Sequence, residues 1–467
     1  MKIAFHGAAR TVTGSKHLVT LKNGTQFLLD CGMFQGMGSE TEYLNQNFGF
    51  DPTPVKYLFL SHAHIDHCGL IPRLVKKGFK GRIFCTSGTR DLAEIMLKDS
   101  AKIQMDDAAF LHKRSEKTHT HIESQPLYDL DDVSAALDLF EVVDYHKWIP
   151  IEDGLEVYYV DAGHIVGSTS VHVRITENGK TRQLSFSGDV GRYKDIILKS
   201  PQTFPQADFI IIESTYGNSL HEDVFNSPDE LLDWVKKTCI EKKGKLIIPS
   251  FSVGRTQELL YFLNQLSNER QLPNIPIYVD SPLSLEATRI TKEHVNDFNK
   301  RIQNLLKTDS DPFDFPGLTF VKSVDESKAL NNDERPMVII SASGMADAGR
   351  VKHHIFNNIT DPRNTILIVG YCEPNSLGGH LMRGAKIVHI YNEEMVVKAD
   401  IGVMRSMSAH GDYDDLCQFL ACQDPSLVAK LFIVHGEYDV QQDFQRSLLK
   451  KGFRDVEIPA LHQEFSL

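Results

Sequence analysis

The chain has 467 residues, 41% apolar and 24% charged, which fits a globular protein with two domains or one large insertion. Its formal net charge of −12 argues against a protein that coats nucleic acid non-specifically, although bound divalent ions would make an acidic site locally positive. No apolar run reaches the roughly 18 residues needed to cross a bilayer, the N-terminus turns polar too early for a secretory signal, and seven cysteines fit reduced thiols in the cytoplasm.

The first 205 residues predict short strands joined by glycine-rich turns. Residues His17–Leu21 and Gln26–Leu29 are paired strand candidates around Asn23-Gly24, a strong turn signal. The second strand runs into Asp30, which precedes a cluster of histidines. We expect Asp30 to orient a ligand imidazole through a hydrogen bond.

That cluster is His62-Ala63-His64-Ile65-Asp66-His67, between the apolar run Tyr57–Ser61 and an amphipathic helix at 70–77. His62 and His64 project the same way in an extended turn, because strand side chains repeat every two residues. Asp66 and His67 start a helix and point to an adjacent position. Nitrogen and carboxylate ligands without sulfur suit catalytic Zn²⁺ or a similar first-row ion. The cluster therefore predicts ligands for two metal ions.

Two further candidate ligands follow strands later in the chain. A long helix is predicted from Thr89 to about Lys113, and the loop histidines His119 and His121 are interpreted as solvated. His164 follows Gly163 at a strand end, where it can be a third ligand, although a lone histidine is more often structural. Asp189 lies on a turn between Gly188 and Gly191, and a carboxylate there can bridge two metal ions.

From about Ala207 the pattern changes to alternating strands and helices, including a helical segment at 284–306. Small-residue loops after parallel strands bring helix N-termini and arginines to one sheet edge, where phosphate oxygens bind. His353 and His354 are expected on a helix surface. The predicted phosphate-binding residues are Ser252, Arg255, Ser343, Gly344 and Arg350.

From about Ile390 the sequence again predicts short strands joined by glycine-containing turns, as in the first 205 residues. His410 lies in Ser408-Ala409-His410-Gly411-Asp412 before a helix. The strand Leu431–Val434 delivers His435 at its C-terminal end, a junction where a core histidine is unusual.

Taken together, these motifs resemble the metallo-β-lactamase superfamily, and within it the β-CASP nucleic-acid-processing branch, over nearly the whole chain. That branch includes the polyadenylation endonuclease, archaeal relatives and RNase J. The residues that match the superfamily are His62, His64, Asp66, His67, Asp30, His164 and Asp189. Those that match the β-CASP motifs are Glu213, His410 and His435.

The resemblance implies an α/β fold: an αββα metallo-β-lactamase domain interrupted by an α/β β-CASP domain with a parallel sheet. It places the first part at residues 1–205, the inserted domain at 206–389 and the completion at 390–467. It implies His62, His64 and His164 on one zinc ion, with Asp66, His67 and His435 on the other. Asp189 would bridge the two zinc ions.

The implied activity is hydrolysis of single-stranded RNA by a metal-bound hydroxide, leaving 5′-phosphate and 3′-hydroxyl ends. In this hypothesis His410 is the general acid, and Glu213 raises the pKa of its imidazole. Gly379 departs from the family, because many relatives carry an arginine there, so one phosphate contact is not expected. We also expect neither the extra C-terminal domain of RNase J nor the N-terminal RNA-binding modules of archaeal relatives.

Three alternatives remain open at this point. A small-molecule metallo-hydrolase explains the metal ligands but not Glu213 or His410. A non-catalytic RNA-binding subunit conflicts with a complete ligand set. A nuclease directed at DNA would use the same chemistry. The sequence distinguishes neither endonuclease from 5′-exonuclease nor a monomer from a homodimer.

Overall fold

A computed structural model describes residues 1–118, 125–222, 224–370 and 372–467. The histidines His119 and His121 therefore lie outside the described residues. The described strands, in chain order, are β1 Lys2–Phe5, β2 His17–Thr20, β3 Gln26–Leu29, β4 Val55–Phe59, β5 Arg82–Cys85, β6 Phe140–Val142, β7 Ile149–Glu152, β8 Leu155–Asp161, β9 Thr169–Glu177, β10 Lys180–Phe186, β11 Phe209–Ile212, β12 Lys245–Pro249, β13 Ile277–Val279, β14 Leu318–Phe320, β15 Met337–Ser341, β16 Thr365–Val369, β17 Ile387–Ile390, β18 Glu393–Val396, β19 Asp400–Met404, β20 Lys430–Ile433, β21 Val456–Glu457 and β22 Glu464–Ser466.

The described α-helices are α1 Thr41–Gln46, α2 Ile65–Cys68, α3 Ile71–Lys76, α4 Ser87–Thr118, α5 Leu130–Leu137, α6 Ser227–Val235, α7 Arg255–Asn268, α8 Pro282–Glu293, α9 Lys300–Leu305, α10 Val324–Asn332, α11 Arg350–Asn358, α12 Leu377–Met382, α13 Tyr413–Leu420 and α14 Tyr438–Lys450. Single 3₁₀ turns cover Gly38–Glu40, Val224–Asn226, Val295–Asp297 and Arg405–Met407, and a π-helix at Lys236–Glu241 extends α6. Within the described residues, none of the helices combines the length and the apolar composition that crossing a membrane requires.

The chain divides into two compact units. Unit 1 contains Met1–Tyr193, Ser200–Leu220 and His410–Leu467, and unit 2 contains Lys194–Lys199 and His221–Ala409. The strand β11, expected in the inserted domain, pairs with β10 and β20 and belongs to unit 1. The strand β19, expected in the C-terminal completion, pairs with β16 and belongs to unit 2. The boundaries of these units therefore differ from the predicted domain boundaries after residues 205 and 389. The assignment of the three domain segments stays a prediction.

Unit 1 is built on two seven-stranded sheets. Their strand orders are β22-β1-β2-β3-β4-β5-β6 and β21-β20-β11-β10-β9-β8-β7. Apolar side chains of both sheets, such as Phe27 and Phe186, form one core between them. A second core joins the first sheet to α3, α4 and α5, and a third joins the other sheet to α13 and α14. These layers confirm the αββα prediction.

Unit 2 contains a six-stranded parallel sheet in the order β14-β13-β15-β12-β16-β19, with a separate hairpin of β17 and β18. Helices α11 and α12 pack their apolar faces on β12 and β16. The α/β class predicted for this part of the chain is confirmed.

Two local predictions for unit 2 were wrong. The single helical segment at 284–306 is broken, because Phe298 is extended and Asn299 starts a new helix by accepting a hydrogen bond from the Ile302 amide. His353 is exposed as expected, but His354 is fully buried and pairs with Asp280 at 2.7 Å. The amphipathic pattern did not reveal that pair because its members are 74 residues apart.

Candidate metal centre

Residues at the ends of six unit 1 strands converge at one place. Asp30 follows β3, His62 follows β4, and Glu213 follows β11. The other three strands that end here are β8, β10 and β20, which lead to His164, Asp189 and His435. Because parallel neighbours end at the same sheet edge, residues from position 30 to position 435 can meet there.

Backbone packing fixes the histidine cluster against the loop after β3. His64 is extended, with ψ of 147°, and acts as the N-cap of α2, which carries Asp66 and His67. The Cβ of any larger residue at Gly32 would lie 1.6 Å from the Asp66 carbonyl oxygen. Glycine is therefore required at position 32 for the two segments to approach.

The first ligand group contains three histidines and one carboxylate, whose donor atoms lie within 4.8 Å of one another. The Nδ1 atom of His64 is 3.1 Å from Nε2 of His62 and 3.1 Å from Nε2 of His164. Oδ2 of Asp189 is 3.4 Å from His62 Nε2 and 3.5 Å from His164 Nε2. A tetrahedral zinc ion separates its ligand atoms by roughly 3.3 Å. The four atoms therefore fit one such ion.

The second ligand group contains Asp66, His67 and His435. Nε2 of His67 lies 3.2 Å from Nε2 of His435, which lies 3.4 Å from Oδ2 of Asp66. The other oxygen of Asp189, Oδ1, is 3.2 Å from His67 Nε2. Asp189 thus faces the first group with one oxygen and the second group with the other.

The carboxylate of Asp189 supplies the best test of fit for a pair of cations. Its Oδ1 atom is fully buried and accepts no well-aligned hydrogen bond from the described residues, although Nε2 of His67 lies 3.2 Å away. A buried carboxylate oxygen without a donor is costly unless a cation binds it. The spacing of the donors and this oxygen both fit two divalent ions.

Hydrogen bonds behind the ligands fix which ring nitrogen faces each group. His67 Nδ1 donates to Oδ2 of Asp30 at 2.6 Å, the contact that an orienting role of that aspartate requires. The same oxygen accepts a hydrogen bond from Ser61 Oγ at 2.8 Å, and Ser61 Oγ lies 3.0 Å from Nδ1 of His62. Thr215 Oγ1 lies 3.0 Å from Nδ1 of His435. These contacts leave Nε2 of all three rings directed at the ligand groups.

Ser61 and Thr215 were not among the residues that the sequence pattern predicted for this site. Each is a hydroxyl residue beside a candidate residue at a strand end, Ser61 before His62 and Thr215 two residues after Glu213. This position beside a candidate residue was the sequence signal that could have identified them. The hydrogen bonds themselves depend on how β3, β4 and β20 align.

Burial keeps two of the candidate ligand rings neutral. It lowers the pKa of His62 well below its ordinary value, and nearby His67 acts in the same direction. It also lowers the pKa of His64 to about 4. Both rings are therefore unprotonated near neutral pH and offer lone pairs.

The carboxylates have the opposite effect on His67. Burial opposes a charge on this ring, but Asp189, Asp66 and Asp30 outweigh it and raise the pKa of His67 well above its ordinary value. A proton on His67 balances these carboxylates until a divalent cation takes its place. Metal binding is therefore expected to release a proton.

Beside the ligand groups, the buried Glu213 pairs with His410, which is partly exposed. His410 Nδ1 lies 3.2 Å from Oε1 of Glu213, and that oxygen also accepts a hydrogen bond from the Val190 amide at 2.7 Å. Burial lowers the pKa of His410, but Glu213 and then Asp189 outweigh it and raise that pKa to about 9. The imidazolium form of His410 is therefore favoured at neutral pH.

The predicted phosphate-binding residues lie in unit 2, at the carboxyl ends of β12 and β15. Arg255 is buried and forms a short ion pair with Glu258. Arg350 Nη1 donates to Oδ1 of Asp280 at 2.6 Å. The remaining three are Ser252, Ser343 and Gly344. Ser252 is buried, and its Oγ lies 3.2 Å from Ser281 Oγ. Ser343 Oγ donates to the Ala348 carbonyl at 3.4 Å. Their role with phosphate stays a prediction.

Local packing explains why residue 379 is a glycine. A Cβ atom there would lie 2.3 Å from the carbonyl oxygen of Glu373, which is backbone and cannot move aside. No side chain therefore fits at this position of α12.

Family models match three consecutive parts of the chain. Residues 14–238 match the metallo-beta-lactamase superfamily, and residues 256–381 match the Beta-Casp domain. Residues 394–459 match the domain described as a Zn-dependent metallo-hydrolase RNA specificity domain.

Named relatives match over most of the chain. The ribonuclease TTHA0252 of Thermus thermophilus is 35% identical over 94% of this chain and 93% of its own length. The RNase J-like protein of Methanocaldococcus jannaschii is 29% identical over 96% of this chain and 95% of its own length. The cleavage and polyadenylation specificity factor 73 of Drosophila melanogaster is 28% identical, and the alignment covers 96% of this chain but 62% of that protein.

Proposed function

The chain belongs to the metallo-β-lactamase superfamily and carries its Beta-Casp and RNA-specificity domains, and from this membership we propose a ribonuclease that hydrolyses phosphodiester bonds of single-stranded RNA. It is a metal-dependent hydrolase of the nuclease class. One observation carries the proposal: a pair formed by Glu213 and His410 adjoins Asp189, whose two oxygens face two ligand groups. A metallo-hydrolase of small molecules needs the ligands but not that pair.

Two zinc ions fit the donors of this proposal. The first would be held by His62, His64, His164 and Asp189, and the second by Asp66, His67, His435 and Asp189. When bound, the two ions lower the pKa of a water molecule and neutralise negative charge on the phosphate. Nitrogen and oxygen donors at tetrahedral spacing support zinc over the larger, all-oxygen sites of calcium.

His410 is the proposed proton donor to the leaving oxygen. Its Nδ1 is engaged by Glu213, so the proton that moves is at Nε2. The His410 side chain is 16% exposed, which leaves it accessible to a substrate. Donation to the 3′ oxygen leaves a 3′-hydroxyl on one product and a 5′-phosphate on the other.

Glu213 and Asp30 are proposed to act by holding histidine rings in place. Glu213 stabilises the imidazolium of His410, and the amides of Val190 and Thr215 hold its two oxygens. Asp30 orients His67 directly and His62 through Ser61. Each contact restricts a ring that would otherwise rotate about its side-chain bonds.

Several finer features belong to the same proposal. Unit 2 is proposed as the inserted domain, with Ser252, Arg255, Ser343, Gly344 and Arg350 contacting the RNA backbone through their loops. A cytoplasmic location is supported by seven cysteines, all in described positions, none of which forms a disulfide. A homodimer is a further proposal that sedimentation of the purified protein tests.

The direct test uses single-stranded RNA labelled at one end, with 5′-hydroxyl and 5′-monophosphate forms compared. The zinc-loaded enzyme is expected to cut RNA, and Asp189→Ala is expected not to. Early internal fragments would identify an endonuclease, whereas mononucleotides dependent on the 5′ group would identify an exonuclease. Exclusive cleavage of a matched DNA strand, or of neither strand, would contradict the proposal.

A further inference from the structure

A loop of unit 1 runs beside the second ligand group. The Ala8 carbonyl at its start accepts a hydrogen bond from the His435 amide at 2.8 Å. The Ser15 amide at its end donates to the Asp66 carbonyl at 2.8 Å. Between them, the Thr11 carbonyl accepts from the Gly436 amide at 3.2 Å. The loop is therefore tied to two proposed ligands at their backbones.

Arg10 stands in this loop, and its guanidinium lies over the ring of Tyr438. The guanidinium carbon is 4.5 Å from the ring centroid. Tyr438 is the first residue of α14, three positions after His435, so both members of the pair are anchored next to the second ligand group. Arg10 Nη2 also donates to the Ile458 carbonyl at 3.4 Å.

The pair is exposed to solvent. Tyr438 keeps 41% of its surface exposed, and Arg10 is exposed as well. Among the proposed metal ligands, Asp66 has a side chain that is 18% exposed, compared with 2% for Asp189. His64 and Asp66 are thus the partly exposed proposed ligands, and the loop that carries Arg10 is hydrogen-bonded to the backbone of Asp66.

The backbone of Arg10 is in the left-handed region, with φ of 62°. This conformation costs a non-glycine residue of order 1–2 kcal/mol. An exposed cation–π contact returns about 0.5–1 kcal/mol. Stability alone therefore does not account for an arginine at this position.

A guanidinium backed by an aromatic ring is a flat, cationic surface. Unpaired nucleobases stack on arginine planes and on aromatic rings in proteins that bind single strands. The charge of Arg10 also favours an adjacent phosphate in a chain whose formal charge is −12.

We propose that the Arg10–Tyr438 pair stacks on a nucleobase of single-stranded RNA next to the phosphodiester bond that is cut. The inference rests on the proposed function, because it requires RNA at the metal centre. It adds a specificity contact that is independent of the metal ligands.

The test compares an unmodified RNA oligonucleotide with copies that lack one base at successive positions around the cut site. For the wild-type enzyme, one missing base is expected to raise KM by about tenfold to hundredfold, the range that a stacked base contributes. In Tyr438→Leu the unmodified RNA is expected to show this higher KM, and the missing base to make no further difference. Tyr438→Phe, which retains the ring, is expected to retain the wild-type dependence on that base.

Arg10→Lys separates stacking from charge, because lysine keeps the charge but has no planar group. It is expected to weaken the dependence on the base while keeping the salt dependence of RNA binding. The matched control is Trp148→Leu. Trp148 forms a similar pair with Arg174, whose guanidinium carbon is 3.7 Å from the ring centroid. Arg174 lies opposite Glu156 of β8, at the end of that strand remote from His164.

Metal content and the thermal transition of each variant are measured to exclude misfolding. A second readout is the fluorescence of 2-aminopurine at the identified position, which is quenched when the base stacks. Quenching is expected with the wild type and with Tyr438→Phe but not with Tyr438→Leu. Equal KM and equal base dependence in wild type and Tyr438→Leu would overturn this inference and leave the ribonuclease proposal intact. Failure of the wild type to cleave any RNA would overturn both.

Discussion

The Nδ1 atom of His410 lies 3.2 Å from Oε1 of Glu213, in a pair held next to Asp189. Because the carboxylate occupies Nδ1, the Nε2 atom of His410 is the one that can face a substrate. His410→Ala is therefore expected to lower kcat for RNA by about 10²–10⁴-fold, the range of a lost general acid. The measurement is initial rates on saturating RNA together with metal content by mass spectrometry.

The matched control is His353→Ala, which removes an exposed histidine from α11 of unit 2. It is expected to keep wild-type turnover. A metal-replete His410→Ala enzyme with near-normal turnover would remove His410 from the role of acid.

Glu213→Gln keeps the size of the side chain but removes its charge. The negative charge of Glu213 favours the protonated form of His410, so its loss is expected to lower the pKa of that ring from about 9. The titration of the His410 ring is measured by NMR in the metal-free protein. An unchanged pKa in Glu213→Gln would show that Asp189 and Asp66 support the imidazolium without Glu213.

Asp189→Ala removes both oxygens that face the two ligand groups. Metal binding and activity are expected to fall together, because the buried donors then lack their shared carboxylate. Metal per chain is counted after dialysis, with Asp153→Ala as a control at an exposed aspartate. A fully metallated and active Asp189→Ala protein would rule out the bridging role.

Thr215→Val deletes the hydroxyl that lies 3.0 Å from His435 Nδ1. A lost partner of this kind is expected to weaken metal affinity by about 10–100-fold. Competition with a coloured chelator measures it, and Thr215→Ser, which retains the hydroxyl, is expected to restore most of the affinity. The prediction is wrong if valine and serine behave alike.

The buried side chain of Lys16 is expected to make the stability of the fold depend on pH. Its Nζ atom is fully buried, donates to the carbonyls of Gly14 and Gly32, and lies over the Phe34 ring. Burial lowers the pKa of Lys16 from 10.5 to about 7. Between these values the unfolded chain holds a proton that the folded chain lacks, so stability is expected to rise with pH by up to about 1.4 kcal/mol per unit.

Urea unfolding of wild type and Lys16→Met at about pH 7 and about pH 10 tests this slope. The methionine variant has no titrating group at this position, so its stability is expected to rise less across the interval. Parallel pH dependences in the two proteins would show that Lys16 keeps its proton when buried.

Much of the candidate metal centre could be predicted because its residues follow strands. A candidate ligand that follows a strand, such as His62, Asp189 or His435, is marked locally by the apolar run before it and the small residues near it. The αββα layers were likewise predictable from the family resemblance and the strand pattern. The contacts of Ser61, Thr215 and His354 were not, because each depends on the alignment of segments far apart in the chain.

The distribution of ligands along the chain has a consequence for synthesis. His67 and His435 contact each other across 368 residues of sequence, and β1 pairs with β22. At translation rates of about 5–20 residues per second, roughly 20–70 seconds separate the emergence of the two histidines. During that interval the growing chain cannot assemble the second ligand group. We therefore expect the growing chain to be inactive as a nuclease until its last strands have joined the first.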